Sequence, residues 1–106
     1  MVTTVTEDTF PQEVKNHAGQ VLIDFYTPYC QPCRMMAPIL DQIATERGEA
    51  LKVVKIDAST EQELAKEFAI GAVPTFVLMQ NGTQKVLTTG FKSKKVFEQW
   101  LDENRS

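Results

Sequence analysis

Residues 21–38 constrain the fold of this 106-residue chain most, because the sequence changes there from strand-like to helix-like within a few positions. Residues 21–26 are β-branched, apolar and aromatic with one exception, which is typical of a strand. From position 33 the apolar residues recur at helical spacing. Residues 27–32 must therefore form a strand-to-helix turn, and both cysteines, Cys30 and Cys33, lie at this junction.

Cys30 is predicted to stand where the helix begins. Unpaired backbone N–H groups and the helix dipole favour a thiolate over a thiol at that position. Pro32 suits the first helical turn, where its missing N–H costs nothing. Such a position lowers a cysteine pKa from about 8.5 into the range of roughly 3.5–7.5. We therefore expect Cys30 to be the nucleophile, with Cys33 one turn further on, shielded beneath it and able to resolve a mixed disulfide.

Three other roles for the cysteine pair are weaker. A structural disulfide closing so short a loop would contribute only about 2 kcal/mol. A zinc site needs four ligands and His17 is the only further candidate, so two chains would have to share the metal. Two unrelated buried cysteines would leave the Gln-Pro between them, at a helix start, unexplained. We therefore predict redox chemistry without a metal, and assign none to His17.

The composition limits the partners of the chain. Its length fits a single domain, residues 1–106. Charged residues make up 24% and the formal net charge is −3, so there is no basic field for nucleic acid and no polybasic membrane anchor. The first eight residues lack the basic start and apolar segment of a secretion signal, and no apolar run reaches the length of a membrane span. We expect a cytoplasmic monomer with protein partners, where a cysteine pair is more often catalytic than structural.

Asp24 is the polar exception in a run too uniformly apolar for a half-exposed strand. Such a run indicates a central strand covered on both faces. Buried there, Asp24 would have a raised carboxyl pKa and could accept, through a water, the proton that Cys33 must lose. The alternative is a solvated carboxylate at the rim. Lys55 lies in the strand-like residues 51–57. It either reaches Asp24 and offsets part of the free-energy cost of burying that carboxylate, or it is an ordinary surface lysine.

The remaining patterns complete an α/β domain. Further elements are predicted as a strand at 2–6, a helix around Phe10 and Val14, a helix over 33–47, a short helix around Leu64 and Phe68, strands at 75–80 and 84–89, and a last helix around Phe97 and Trp100. The two-residue turn Asn81-Gly82 makes the last two strands an antiparallel hairpin. We predict a mixed five-stranded sheet, parallel first and antiparallel last, with four helices on its two faces.

Pro74 directly precedes a predicted strand. Because proline cannot donate to a sheet ladder, it either caps an edge strand or follows a cis peptide bond. The pattern leaves this choice open.

Along nearly its whole length the chain resembles the thioredoxin family. The shared residues, in the family's order and spacing, are Val-Leu-Ile-Asp-Phe at 21–25, Cys-x-Pro-Cys-Arg-Met-x-Ala-Pro at 30–38, Lys-x-Asp at 55–57, Val-Pro-Thr at 73–75, Asn-Gly at 81–82 and Gly90. The resemblance implies the thioredoxin fold and a protein-disulfide reductase. In such a reductase Cys30 would attack the substrate disulfide, and Cys33 would resolve the mixed disulfide. Asp24 is the buried carboxylate, and Lys55 is its neighbour.

The resemblance also implies how substrates and electrons arrive. Pro74 would be cis against the cysteine pair, leaving the Val73 backbone open to an extended substrate chain. The docking surface would comprise Tyr29, Gln31, Pro32, Val73, Pro74 and Gly90. No bound cofactor is implied besides the redox-active disulfide Cys30–Cys33. Electrons would come from NADPH through a flavoenzyme resembling thioredoxin reductase.

Several positions depart from the family's usual residues. Tyr26 and Tyr29 stand where tryptophan is usual, Gln31 stands where glycine is usual, and Phe91 replaces a smaller residue. A hydrogen bond of about 1 kcal/mol from Gln31 to the Cys30 thiolate would raise the reduction potential by roughly 20 mV. The reduction potentials of known disulfide reductants and oxidants lie roughly 150 mV apart. This bond alone therefore does not turn a reductant into an oxidant.

Two other functions compete with disulfide reduction. An oxidase or isomerase would work in an oxidising compartment, which the leaderless start disfavours. A redox-independent binding or assembly module would use the fold as a protein clamp, and its thiols would be incidental. Insulin reduction separates the reductase from the binding module.

Overall fold

The strands form one mixed sheet, described over residues 1–105 in a computed structural model. They are β1 (Val2–Thr4), β2 (Gln20–Tyr26), β3 (Lys52–Asp57), β4 (Thr75–Gln80) and β5 (Thr83–Thr89). Their order across the sheet is β1-β3-β2-β4-β5. β3 is parallel to β1 and β2, whereas β4 is antiparallel to β2 and β5. The prediction of a mixed sheet with a final hairpin is confirmed.

Three α-helices accompany the sheet: α1 (Gln31–Arg47), α2 (Gln62–Glu67) and α3 (Lys94–Glu103). The helix predicted around Phe10 and Val14 is present only as a π-helical turn, Pro11–Lys15, in which the Asn16 N–H reaches the Pro11 carbonyl at 2.8 Å. The chain must already enter β2 at Gln20, which leaves little length for a longer helix. One turn is enough to bury both predicted apolar residues, Phe10 and Val14.

The central strand β2 is covered on both faces, as predicted. Val21, Ile23 and Phe25 pack on one face with apolar residues of the π-helical turn and α2. Leu22 points the other way and packs with residues of α1 and α3, among them Met36. Because side chains alternate along a strand, Asp24 must share the α1 face with Leu22.

The Asn81-Gly82 turn has the conformation that its sequence predicts. Asn81 and Gly82 both have positive φ, 51° and 81°, as a two-residue type I′ turn requires. A Cβ at Gly82 would contact the backbone carbonyl oxygen of Lys15, so glycine is required here for space as well as conformation. α1 continues through Pro38 to Arg47. None of the helices within residues 1–105 is long and apolar enough to cross a membrane.

Candidate redox site

The cysteine pair lies where β2 passes into α1. Cys30 is the N-cap residue of the 17-residue helix, with extended backbone at φ −97° and ψ 113°. Its Sγ accepts a hydrogen bond from the Cys33 N–H at 3.1 Å. An extended residue ahead of the first turn places its side chain over the free N–H groups, so the sulfur occupies the positive end of the helix dipole.

Cys30 and Cys33 form a disulfide, and their exposure differs sharply. Their Cα atoms are 5.2 Å apart. Cys33 is 4% exposed, whereas Cys30 is half-buried. An incoming sulfur therefore reaches Cys30 first. Within residues 1–105 no group of three or more His, Cys, Asp or Glu side chains could hold a metal ion.

Asp24 is buried rather than solvated at the rim. It is 5% exposed, and its Oδ1 is buried without a hydrogen-bond partner among the described residues. Burial raises the pKa of this carboxyl from its ordinary 3.8 to about 7, because desolvation outweighs the opposing charge of Lys55. Near neutral pH the group is therefore poised between holding and accepting a proton.

A cleft of about 180 Å³ connects the buried sulfur with the buried carboxylate. Its lining residues include Asp24, Cys33, Lys55, Tyr26 and Ala37. A water molecule occupies about 30 Å³ in the liquid, so the cleft has room for water between the two groups. Both groups therefore border one cleft that can hold water.

Lys55 lies beside Asp24 and offsets part of the cost of its burial, as one of the two alternatives predicted, but without an ion pair among the described residues. It is the direct register partner of Asp24 on β3, so both side chains leave the same face of the sheet. Its ammonium lies 5.8 Å from the Tyr26 ring centroid, and within residues 1–105 it makes no ion pair with Asp24 inside 4 Å. Its charge still lowers the pKa of Asp24 from where burial alone would set it.

The loop before β4 completes the site from the other side. The Val73–Pro74 peptide bond is cis, the arrangement that the resemblance implies. The Val73 carbonyl oxygen lies 3.8 Å from Cys30 Sγ. The Gly90 N–H donates to the Pro74 carbonyl at 2.9 Å, which ties the end of β5 to this loop.

The predicted docking residues differ in their access to solvent. Tyr29 is 90% exposed, Gln31 and Pro32 are exposed, and Val73 and Gly90 are half-buried. Pro74 is buried, so it supports the surface from beneath. The structure brings Val73 to Cys30 and Gly90 to Pro74; the docking role of these residues stays a prediction.

The sequence analysis gave no role in the cleft to two of its lining residues, Tyr26 and Arg34. The guanidinium of Arg34 donates to the Pro28 carbonyl at 3.1 Å and closes the edge of the cleft. Its position directly after Cys33, in the first turn of the helix, was the available signal. Burial and the nearby carboxylates Asp57 and Asp24 raise the pKa of Tyr26.

The comparisons with known proteins agree with this geometry. A family model described as Thioredoxin matches residues 1–103. A protein named Thioredoxin from Listeria monocytogenes serovar 1/2a is 37% identical over 103 residues, covering 97% of this chain and 98% of the relative. The Thioredoxin of Bacillus subtilis (strain 168) is 33% identical over 103 residues, 97% of each chain. The Thioredoxin of Porphyra purpurea is 37% identical over 102 residues, 96% of this chain and 95% of the relative.

Proposed function

The chain belongs to the thioredoxin family, and from that premise we propose that it works as a reductant of protein disulfides, with Cys30 and Cys33 in separate roles. Family membership makes it a thiol-disulfide oxidoreductase acting on disulfide-containing proteins, and thioredoxins need no bound cofactor. The observation that carries the proposal is the difference in access between the accessible Cys30 at the start of α1 and the 4% exposed Cys33 behind it.

The reaction consists of two exchanges. The Cys30 thiolate attacks one sulfur of the substrate disulfide, forming a mixed disulfide and releasing the first substrate thiolate. The Cys33 thiolate then attacks Cys30 Sγ and releases the second substrate thiolate. The substrate gains two electrons and, with protons, becomes a dithiol, while the Cys30–Cys33 disulfide forms.

Asp24 takes the proton from Cys33 before the second exchange. The cleft joins the two groups, and a carboxyl pKa of about 7 suits a base that works near neutral pH. Lys55 acts through Asp24 as a positioning residue, because its charge keeps that pKa from rising further.

The substrate lies extended against Val73, whose carbonyl is next to the attacking sulfur. Tyr29, Gln31, Pro32 and Gly90 flank it, and Pro74 supports it from beneath. Electrons return the disulfide to the dithiol from NADPH through a flavoprotein reductase. We further propose that the protein is a single-domain monomer of the cytoplasm.

Insulin reduction with dithiothreitol, and with NADPH plus a thioredoxin-reductase-like flavoenzyme, tests the activity and the electron source. The wild type should precipitate insulin in both assays. Activity with dithiothreitol alone would support the exchange and contradict the proposed donor.

The double variant Cys30→Ser, Cys33→Ser separates this reading from a binding module. It should lose the biological activity of the wild type while it keeps the fold. Full activity without either thiol would show that the protein acts as a clamp. Size-exclusion chromatography and cell fractionation test the monomer and the compartment.

A further inference from the structure

Charge is distributed unevenly between the redox site and the rest of the chain. Residues 27–36, 70–76 and 88–95 make up the three segments around Cys30. These segments contain four of the 11 Lys and Arg residues and none of the 14 Asp and Glu residues. Since seven basic residues then remain against 14 acidic ones, the rest of the chain carries a formal charge of −7. These three segments are thus positive on an otherwise acidic chain.

Two of these cations, Arg34 and Lys92, are held by backbone carbonyl groups and not by carboxylates. Arg34 donates to the Pro28 carbonyl at 3.1 Å, and the Lys92 ammonium donates to the Thr89 carbonyl at 2.8 Å. Within residues 1–105 neither forms an ion pair inside 4 Å. Lys94, by contrast, pairs with Glu46 at 2.8 Å. Arg34 and Lys92, hereafter the cationic rim, keep their full charge for a ligand.

The two cations of the cationic rim belong to different segments next to Cys30. Arg34 lies in the first turn of α1, directly after Cys33, and its guanidinium is bonded to the carbonyl of Pro28, two residues before Cys30. Lys92 stands on the β5 side, where its ammonium is 3.5 Å from the Gly90 carbonyl. The Gly90 N–H donates to the Pro74 carbonyl, and the carbonyl of Val73, the residue before Pro74, lies 3.8 Å from Cys30 Sγ. A substrate chain that crosses Cys30 therefore meets two segments that each carry one of these cations.

We propose that the cationic rim selects protein disulfides flanked by acidic side chains, an inference that rests on the proposed reductase function. Complementary charge raises association rates by about 10- to 1,000-fold, and salt screens the effect. Basic flanks would meet like charge at the same two positions and react more slowly. Two exposed aromatic residues, Tyr29 at 90% and Phe91 at 44%, give apolar contacts that do not discriminate by charge.

Three disulfide-bonded peptides of one length, whose flanking residues are acidic, neutral or basic, test the selection. The second-order rate constant for each is measured with the reduced protein at low salt and at about 0.5 M NaCl, where the screening length is only a few ångströms. We expect the acidic peptide to react about tenfold or more faster than the basic one at low salt, with the ratio approaching one at high salt.

Equal rates for the three peptides at low salt would overturn the selection while leaving the reductase intact. If no peptide is reduced, the proposed function itself fails. The two failures are therefore distinguishable within one experiment.

Lys92→Glu and Lys15→Glu form a matched pair with the same change in net charge. Lys15 is exposed and borders the Asn81–Gly82 turn, at the other end of β2 from Cys30. Lys92→Glu should lower the acidic-to-basic rate ratio about fivefold or more, and Lys15→Glu should leave it unchanged. The ratio is decisive because a change in Cys30 reactivity would affect all peptides alike. An equal fall in both variants would assign the effect to net charge and contradict the cationic rim.

Discussion

The two ends of β2 differ in how completely their polar groups are hydrogen-bonded. At the end formed by Gly19, Gln20 and the Asn81–Gly82 turn, hereafter the structural end, polar groups are paired. The Gln20 amide donates to Gln80 Oε1 at 3.0 Å and to the Asn104 carbonyl at 2.8 Å. The Gly19 N–H donates to Asn81 Oδ1 at 2.7 Å, and the Asn81 N–H returns a bond to the Gly19 carbonyl at 2.9 Å.

The opposite end, formed by Asp24 and the Cys30–Cys33 pair and hereafter the redox end, leaves one buried polar side-chain atom without a partner among the described residues. That atom is Asp24 Oδ1, and the Cys30 residue nearby is half-buried. A buried polar group without a hydrogen bond lowers the stability of the fold. Such groups are therefore rare in proteins, and they are expected mainly at functional sites. The hydrogen bonds of the structural end therefore stabilise the fold, whereas the buried carboxyl of the redox end lowers its stability.

The largest effect expected at the redox end follows loss of the nucleophile. Cys30→Ser should lower the rate of insulin reduction by roughly a thousandfold or more, because serine is not ionised near neutral pH and cannot form a disulfide.

Cys33→Ser is the matched control, since it should still attack and then accumulate a mixed disulfide with the substrate. Mass spectrometry of the trapped species checks this. Mixed disulfides that form on Cys33 in the Cys30→Ser protein, at the rate seen for Cys30, would reverse the two assignments.

The second effect concerns the stability cost of Asp24. Its pKa is higher in the folded than in the unfolded state, so the folded state binds this proton more tightly. The free energy of unfolding should therefore fall as pH rises from about 3.8 to about 7, and stay low above that. Asp24→Asn removes this titration. Its stability relative to the wild type should rise by up to about 4 kcal/mol between roughly pH 4 and pH 8.

Gln20→Ala, at the structural end, is the control for that experiment. It loses two paired hydrogen bonds and should destabilise the protein by about 1 kcal/mol at every pH. Urea unfolding of the oxidised proteins at several pH values measures both. The raised pKa of Asp24 would be contradicted if the difference in free energy of unfolding between Asp24→Asn and the wild type did not change with pH.

The third effect tests the structural end alone. Gly82→Ala adds a Cβ against the Lys15 carbonyl at a residue with φ of 81°, so it should cost about 2 kcal/mol of stability. The folded variant should reduce insulin at the wild-type rate per molecule. A changed rate in protein that remains fully folded would show that the two ends are not independent.

The smallest effect concerns Gln31, beside the nucleophile. In the disulfide form the Cys30 sulfur accepts from the Cys33 N–H, and Gln31 is exposed, so its bond to the thiolate should be worth no more than about 1 kcal/mol. The reduction potential of the wild type should therefore be less negative than that of Gln31→Gly by roughly 20 mV. Equilibration against glutathione measures it, and an equal or more negative wild-type potential would remove this role.

Most of the fold could be predicted because its signals are local. The uniform apolar run of β2, the helical spacing after Cys33 and the Asn81-Gly82 turn each specify their own structure through periodicity or turn chemistry. The type and length of the helix around Phe10 were not predicted, because the same apolar spacing can be buried by one π-helical turn when the next strand begins soon after.

The candidate site was predictable in its residues but not in its contacts. The sequence places Asp24 in a buried strand, yet the missing partner of its Oδ1 and the position of Lys55 over Tyr26 depend on how β2, β3 and α1 pack. Lys92 carried no signal, since its proximity to Cys30 arises only through the contacts of Gly90 and Pro74.

Alkylation of the reduced protein by iodoacetamide across pH, with peptide mapping of each cysteine, tests the central claim most directly. We predict that Cys30 reacts first, with an apparent pKa below about 7.5, and that Cys33 reacts much more slowly. A Cys30 pKa near that of a free cysteine, about 8.5, or equal alkylation rates at the two cysteines would contradict the assignment of an exposed nucleophile and a shielded partner.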